Sequence, residues 1–189
     1  MVTGAGRNIG EAIAHAFARE GAKVAVVDIN EKSAQKVVDA IHAEHPGKAK
    51  AFVCDVSSGK DVENLMDRVV EQWGQIDILV NNVAITDHKN VLELDEDEWD
   101  RVLAVTLKSV FLCTKYAAKK MVERGQGGKV VNIASTSGHK GRVDATAYTA
   151  AKGGVLNLTR SLAMQLAPYK IRVNSVTPNK IGSPVGYDT

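Results

Sequence analysis

The sequence predicts an α/β fold, a doubly wound parallel sheet between two helical layers. Three observations predict it. Short β-rich runs alternate with longer helix-period runs along the 189 residues, as in successive βαβ units. The strand runs are nearly continuous in Val, Ile and Ala, as expected where helices cover both faces of a sheet. Small, polar or acidic residues follow every strand run, and ligands of open α/β sheets lie beyond the carboxyl ends of the strands.

The elements follow in order. Met1-Val2 leads into Thr3-Gly4-Ala5-Gly6-Arg7-Asn8-Ile9-Gly10, a glycine-rich turn from which a helix begins. Lys23–Asp28 has the composition of a strand. A helix follows from about Glu31 to His45, ended by Pro46-Gly47. Ala49–Cys54 is a strand, and about Lys60–Trp73 is a helix closed by Gly74. Ile76–Val80 is a strand. Two helical segments are expected next, about Asp95–Val105 and Leu107–Arg124, stopped by Gly125, Gly127 and Gly128. Lys129–Ala134 is a strand, Ala145–Ala167 a helix stopped at Pro168, and Ile171–Val176 a strand. With no repeat, low-complexity tract or linker, residues 1–189 are expected to form one domain.

Composition excludes several functions. The chain is 44% hydrophobic and 24% charged, a globular balance. A net charge of +2 is too small and too mixed to make nucleic acid or membrane the main partner. No apolar run approaches the roughly 20 residues that span a bilayer, and residues 1–20 lack the pattern of a secretory signal. Cys54 and Cys113 lie in apolar periodic segments. They are expected to be buried free thiols in a reducing, cytoplasmic compartment. His42 and His45 have a spacing seen in metal sites but no further ligands nearby, so a surface helix end is expected and no metal.

The strand exits carry the chemistry. Glycines after a strand let the backbone turn tightly and approach a pyrophosphate, whose charge rests on the helix N-terminus. Asp28 ends the second strand, 24 positions after Gly4, near the offset of about 20 residues at which an acid binds the ribose hydroxyls. A carboxylate there repels a 2′-phosphate and favours NAD over NADP. Arg7 has two readings of equal weight, a partner for a 2′-phosphate or a solvated surface side chain. In Tyr148-Thr149-Ala150-Ala151-Lys152 the tyrosine and lysine share a helix face. An ammonium beside a phenol favours the phenolate and lowers its pKa. Ser135, at an earlier strand exit, could hold a carbonyl or alcohol oxygen beside that phenol. Such a set moves one proton at a carbinol carbon, which hydride transfer requires.

In this combination the residues resemble the short-chain dehydrogenase/reductase family over essentially the whole chain. Thr3-Gly4 to Gly10 is similar to the family's cofactor turn, and Asn81-Asn82-Val83-Ala84 to its Asn-Asn-Ala-Gly segment. Ser135, Tyr148 and Lys152 fall where the family has its catalytic Ser, Tyr and Lys, and Ile171–Pro178 resembles the strand before the nicotinamide. The resemblance implies a Rossmann fold and an NAD-dependent oxidoreductase acting on a secondary alcohol or ketone. Tyr148 would be the acid/base, Lys152 would lower its pKa and bind the nicotinamide ribose, and Ser135 would orient the substrate oxygen. Gly4, Arg7, Asn8, Ile9, Gly10, Asp28, Asp55, Val56, Asn82, Ala84, Pro178, Ile181 and Ser183, with Tyr148 and Lys152, would contact the cofactor. A homodimer or homotetramer is implied.

The departures from the pattern lie near the cofactor. Asn8 replaces a Gly, Val83 and Ala84 replace Ala and Gly, and Asn179 replaces a Gly. Thr106 replaces the Asn whose main-chain carbonyl holds a water in the proton path, and it could supply the same contact. These departures motivate an alternative, a dinucleotide-binding protein with little or no catalysis. The family's first strand, substrate-covering segment and last strand are also expected to be shortened or missing. That gives a further alternative, an incomplete chain that is inactive alone.

Overall fold

The computed structural model describes residues 1–179. Its strands are β1 (Val2–Thr3), β2 (Val24–Asp28), β3 (Ala49–Val53), β4 (Ile78–Asn81), β5 (Gly128–Ile133) and β6 (Ile171–Val176). All pair in parallel, in the order β3-β2-β1-β4-β5-β6. The order reverses between β1 and β4, where the carboxyl ends of an open sheet part to form a crevice. The expected α/β class is the observed one.

The helices are α1 (Asn8–Arg19), α2 (Glu31–Glu44), α3 (Gly59–Trp73), α4 (Glu96–Leu103), α5 (Ser109–Arg124) and α6 (Thr146–Leu166). Alternation along β2 sorts the two faces. Val24 and Val26 pack with Ala14 and Ala18 of α1 and Val37 and Ile41 of α2. Ala25 and Val27 pack with Leu65 and Met66 of α3, Cys113 and Met121 of α5 and Leu162 of α6. Both cysteines are buried free thiols. No helix of the described residues is long and apolar enough to cross a membrane.

Local chemistry sets the helix ends. The side chains of Asn30, Ser58 and Asp95 accept from the backbone N–H three residues on and cap α2, α3 and α4. Gly74 and Gly125 close α3 and α5 in left-handed backbone. His42 bonds the Ala49 carbonyl at 2.8 Å, and Trp73 packs edge-on against Phe52.

The two helical segments expected on either side of Thr106 are α4 and α5, and Ala104–Lys108 forms a π-helical turn that joins them. Helical dihedrals continue through it, at Leu103 as at Ser109. Thr106 at its centre lowered the helical propensity of the sequence without breaking the helix.

Candidate functional site

The strand exits meet along one edge of the sheet. Gly4 stands in left-handed backbone with φ +60°, and a Cβ there would sit 3.1 Å from the Val83 side chain. Val83, larger than the expected Ala, therefore fills space that Gly4 leaves open. Asn8 also has a positive φ, 53°, a conformation that Asn tolerates better than most residues. A Cβ on Gly10 would run into the Gly4 carbonyl and lie 2.8 Å from Ala5 Cα. Gly10→Ala is expected to destabilise the chain by about 1–3 kcal/mol through this overpacking. Equilibrium denaturation measures it, and an unchanged midpoint would contradict it.

The turn is braced from two sides. Asn82 Nδ2 donates to the carbonyls of Thr3 and Gly4, each at 3.1 Å, and Asn82 N donates to Thr3 Oγ1 at 3.0 Å. Gly6 N donates to Asp28 Oδ2 at 2.9 Å, and Asn30 N donates to Asp28 Oδ1 at 3.0 Å. Asp28 thus lies against the glycine turn at the end of β2. Helix α1 has no side-chain cap; Arg7, exposed and extended, stands at that position. Helix α1 thus starts at Asn8, directly after the glycine turn, and a helix N-terminus is where a pyrophosphate is favoured. Bare glycine backbone, an uncapped helix start and an acid beside them fit a dinucleotide. Asp55 Oδ1 accepts from Ser57 N and Oγ, which shapes the β3 exit, with Val56 buried behind it.

The second group surrounds α6. Tyr148, on its first turn, faces Ser135 at the β5 exit, whose hydroxyl acts on the phenol and also accepts from Ser137 N at 3.1 Å. Lys152 Nζ lies 5.7 Å from the Tyr148 ring centroid and donates to the Ile133 carbonyl at 2.7 Å. Lys152 is only 3% exposed, and burial pulls its ammonium down to about 8 from 10.5. Burial also pushes the Tyr148 phenol above its usual pKa; the Ser135 hydroxyl and the Arg142 guanidinium pull it partway back. The phenol therefore sits above its usual pKa and not below it as expected: loss of water outweighs Ser135 and the Arg142 charge. Arg142 is itself paired with Asp144.

Thr106 is fully buried. Its Oγ1 donates to the Ile85 carbonyl at 2.9 Å and accepts from Ile85 N at 3.1 Å. The side chain so clamps the segment after Asn82 and Ala84 to the π-helical turn. At the β6 exit, Thr136 N donates to the Pro178 carbonyl and Thr136 Oγ1 meets Asn179 Oδ1. Ile181 and Ser183 lie outside the described residues. His139 and Lys140 are exposed on the loop after Ser135.

Two groups escaped the sequence reading. Asn81 and Asn132 pair across β4 and β5, Asn81 Nδ2 donating to Asn132 Oδ1 at 2.8 Å. Asn81 also reaches Thr114 of α5 and Asn132 reaches Thr159 of α6, so a buried polar ladder pins both helices beneath the site. Asp87, fully buried, accepts from Ala147 N and Tyr148 N. No local pattern marks either group.

Comparison with known proteins agrees with this geometry. The family model for short chain dehydrogenases matches residues 1–188. An uncharacterized oxidoreductase of Bacillus subtilis is 41% identical over 98% of this chain and 67% of its own length. The sorbitol dehydrogenase of Cereibacter sphaeroides is 35% identical over 96% of this chain and 69% of its own. The crystal structure of an NAD+-bound xylitol dehydrogenase superposes with a TM-score of 0.90 at 37% identity, covering 94% of this chain and 68% of that one. With its motifs at the matching strand exits and the family model matched almost end to end, this chain belongs to the short chain dehydrogenase family.

Proposed function

We propose that this chain moves a hydride between a nicotinamide cofactor and a secondary alcohol or ketone, with NAD preferred to NADP and Tyr148 handling the proton. One observation carries the reading. Tyr148, with Ser135 facing its phenol and Lys152 5.7 Å from its ring centroid, lies on the sheet edge that also holds the glycine turn and Asp28.

The bound cofactor supplies or accepts the hydride. Gly4, Asn8, Ile9 and Gly10 would seat its pyrophosphate, Asp28 its adenosine ribose, and Lys152 its nicotinamide ribose. Ser135 holds the substrate oxygen by a hydrogen bond. Tyr148 gives a proton to that oxygen in reduction and takes it back in oxidation. A phenol with a raised pKa stays protonated at neutral pH, which suits reduction, and oxidation should quicken as pH rises. Thr106 holds the Ile85 segment in place through its Oγ1. The sorbitol and xylitol dehydrogenases among the relatives make polyols the first substrates to test.

Fluorescence titration with NADH and NADPH, followed by assays on sorbitol, xylitol, a hydroxysteroid and a 3-oxoacyl thioester, tests the reading. Tight NADH binding with turnover of any of these supports it. NADH binding with none would favour a protein that only binds the dinucleotide. The carboxylate at Asp28 is the basis of the cofactor preference. Asp28→Ser is expected to weaken NADH binding about tenfold, or about 1.4 kcal/mol, and to narrow the gap to NADPH. An unchanged NADH/NADPH ratio would assign the preference elsewhere.

A further inference from the structure

Helix α6 carries Tyr148 and Lys152, yet its own sequence does not cap it. The N-cap residue is Ala145, which has no acceptor to offer. The N–H groups of the first turn find one sixty residues earlier. Asp87 Oδ1 accepts from Tyr148 N at 2.8 Å, and Asp87 Oδ2 accepts from Ala147 N at 3.1 Å. Asp87 is 0% exposed. A carboxylate enters a dry site only when it is fully engaged, and a helix N-terminus is where its charge is favoured. Bonds of this charge-assisted kind are among the stronger ones in a protein.

Asp87 lies in a segment that is tied along its length. Asn82 fixes its start to Thr3 and Gly4 of the glycine turn. Thr106 clamps Ile85 by both its N–H and its carbonyl. Thr146 Oγ1, at the start of α6, donates to the Lys89 carbonyl at 3.2 Å. Residues 82–89 therefore run as a strap from the glycine turn to the first turn of α6. A serine or aspartate at position 145 could cap the helix as well. It would not join that helix to the segment leaving the cofactor turn.

We propose that Asp87 is a positioning residue. Through the main-chain N–H of Tyr148 it sets the phenol against Ser135 and in register with the glycine turn. The inference deepens the proposed function and takes the chemical role of Tyr148 from it. The groups facing the phenol are Ser135, Lys152 and Arg142; Asp87 acts on the backbone beneath it.

The test uses the full chain labelled with 13C at tyrosine Cζ, the Tyr148 signal being assigned by its loss in Tyr148→Phe. In the parent chain Tyr148 should titrate above the usual value of about 10. In Asp87→Ala the first turn of α6 loosens, water reaches the ring, and the titration should fall toward about 10. Asp87→Asn keeps one acceptor and is nearly isosteric, so a smaller fall is expected, and it decides the matter should the alanine variant not fold. A folded Asp87→Ala or Asp87→Asn with an unmoved Tyr148 titration would overturn the inference. No substrate enters this measurement. Failure of the catalytic reading would show elsewhere, as full turnover by Tyr148→Phe.

Discussion

Tyr148→Phe is expected to lower turnover by about 10²- to 10⁴-fold, the range for loss of a positioned acid or base, with folding and NADH binding retained. The substitution removes only the phenol oxygen. The ring keeps its place on the first turn of α6, and Lys152 keeps its bond to the Ile133 carbonyl. Ser135 keeps its bond from Ser137 N, and at this partly exposed position water can stand in for the phenol oxygen. Binding and chemistry should therefore separate, with KM for the substrate changing far less than kcat. The pH profile adds a second reading. Because the Tyr148 phenol is held above its usual pKa, oxidation by the parent enzyme should rise with pH across the neutral and mildly alkaline range. That rise should vanish from the residual activity of the variant. Steady-state kinetics on whichever polyol or oxo compound the parent enzyme turns over checks both points. Full turnover without the phenol would remove Tyr148 from the proton transfer.

The sequence made some parts of this arrangement visible and hid others, for physical reasons. Strands β2, β4 and β5 are short apolar runs bounded by helix caps and glycines, so local composition was enough to place them. Asp28 stood out because its offset from Gly4 follows from the length of one βα unit and its return strand. Tyr148 and Lys152 stood out because i and i+4 share a helix face. The hidden features depend on pairings across long stretches of chain. Asp87 looks like an ordinary polar loop residue until the fold brings it under Tyr148. Asn81 and Asn132 look like strand-end residues until β4 and β5 come into register. The π-helical turn around Thr106 is hidden because a threonine between apolar residues does not distinguish an α-helical from a π-helical turn. The state of the Tyr148 phenol is hidden for the same reason. The spacing showed a cation beside it but not how far both groups are removed from water.

The same dryness leads to the second large expected effect, the pH dependence of stability set by Lys152. Burial lowers its ammonium to about 8 in the folded chain, against about 10.4 when unfolded. Between those values the unfolded chain binds more protons, so the Lys152 contribution to stability rises with pH across that window. A difference of that size corresponds to about 3 kcal/mol. Below pH 8 the folded state carries a charged group in a dry site at full cost. Cys54, pushed up to about 12 by burial, and Cys113, also raised by burial, act in the opposite sense. They lose stability as pH passes the usual thiol range of about 8.5, and Tyr148 does so only above about 10. A single stability curve would therefore mix these effects, and the difference between the parent chain and Lys152→Met isolates one. Methionine fills similar space without the charge but leaves the Ile133 carbonyl unpaired, which costs about 1–3 kcal/mol. Near pH 7 the two changes should nearly cancel, leaving the chains similar in stability. By pH 10.5 the parent chain should be the more stable by about 3 kcal/mol relative to that starting point. Urea unfolding at pH 7, 8, 9 and 10.5 measures the gap, and a gap that stays constant would show that Lys152 titrates as an exposed lysine does. A side chain whose charge costs stability at neutral pH has no packing reason to be a lysine, since methionine would serve the core as well. An ammonium there can donate to a ribose, which a thioether cannot, and that is the role proposed for Lys152.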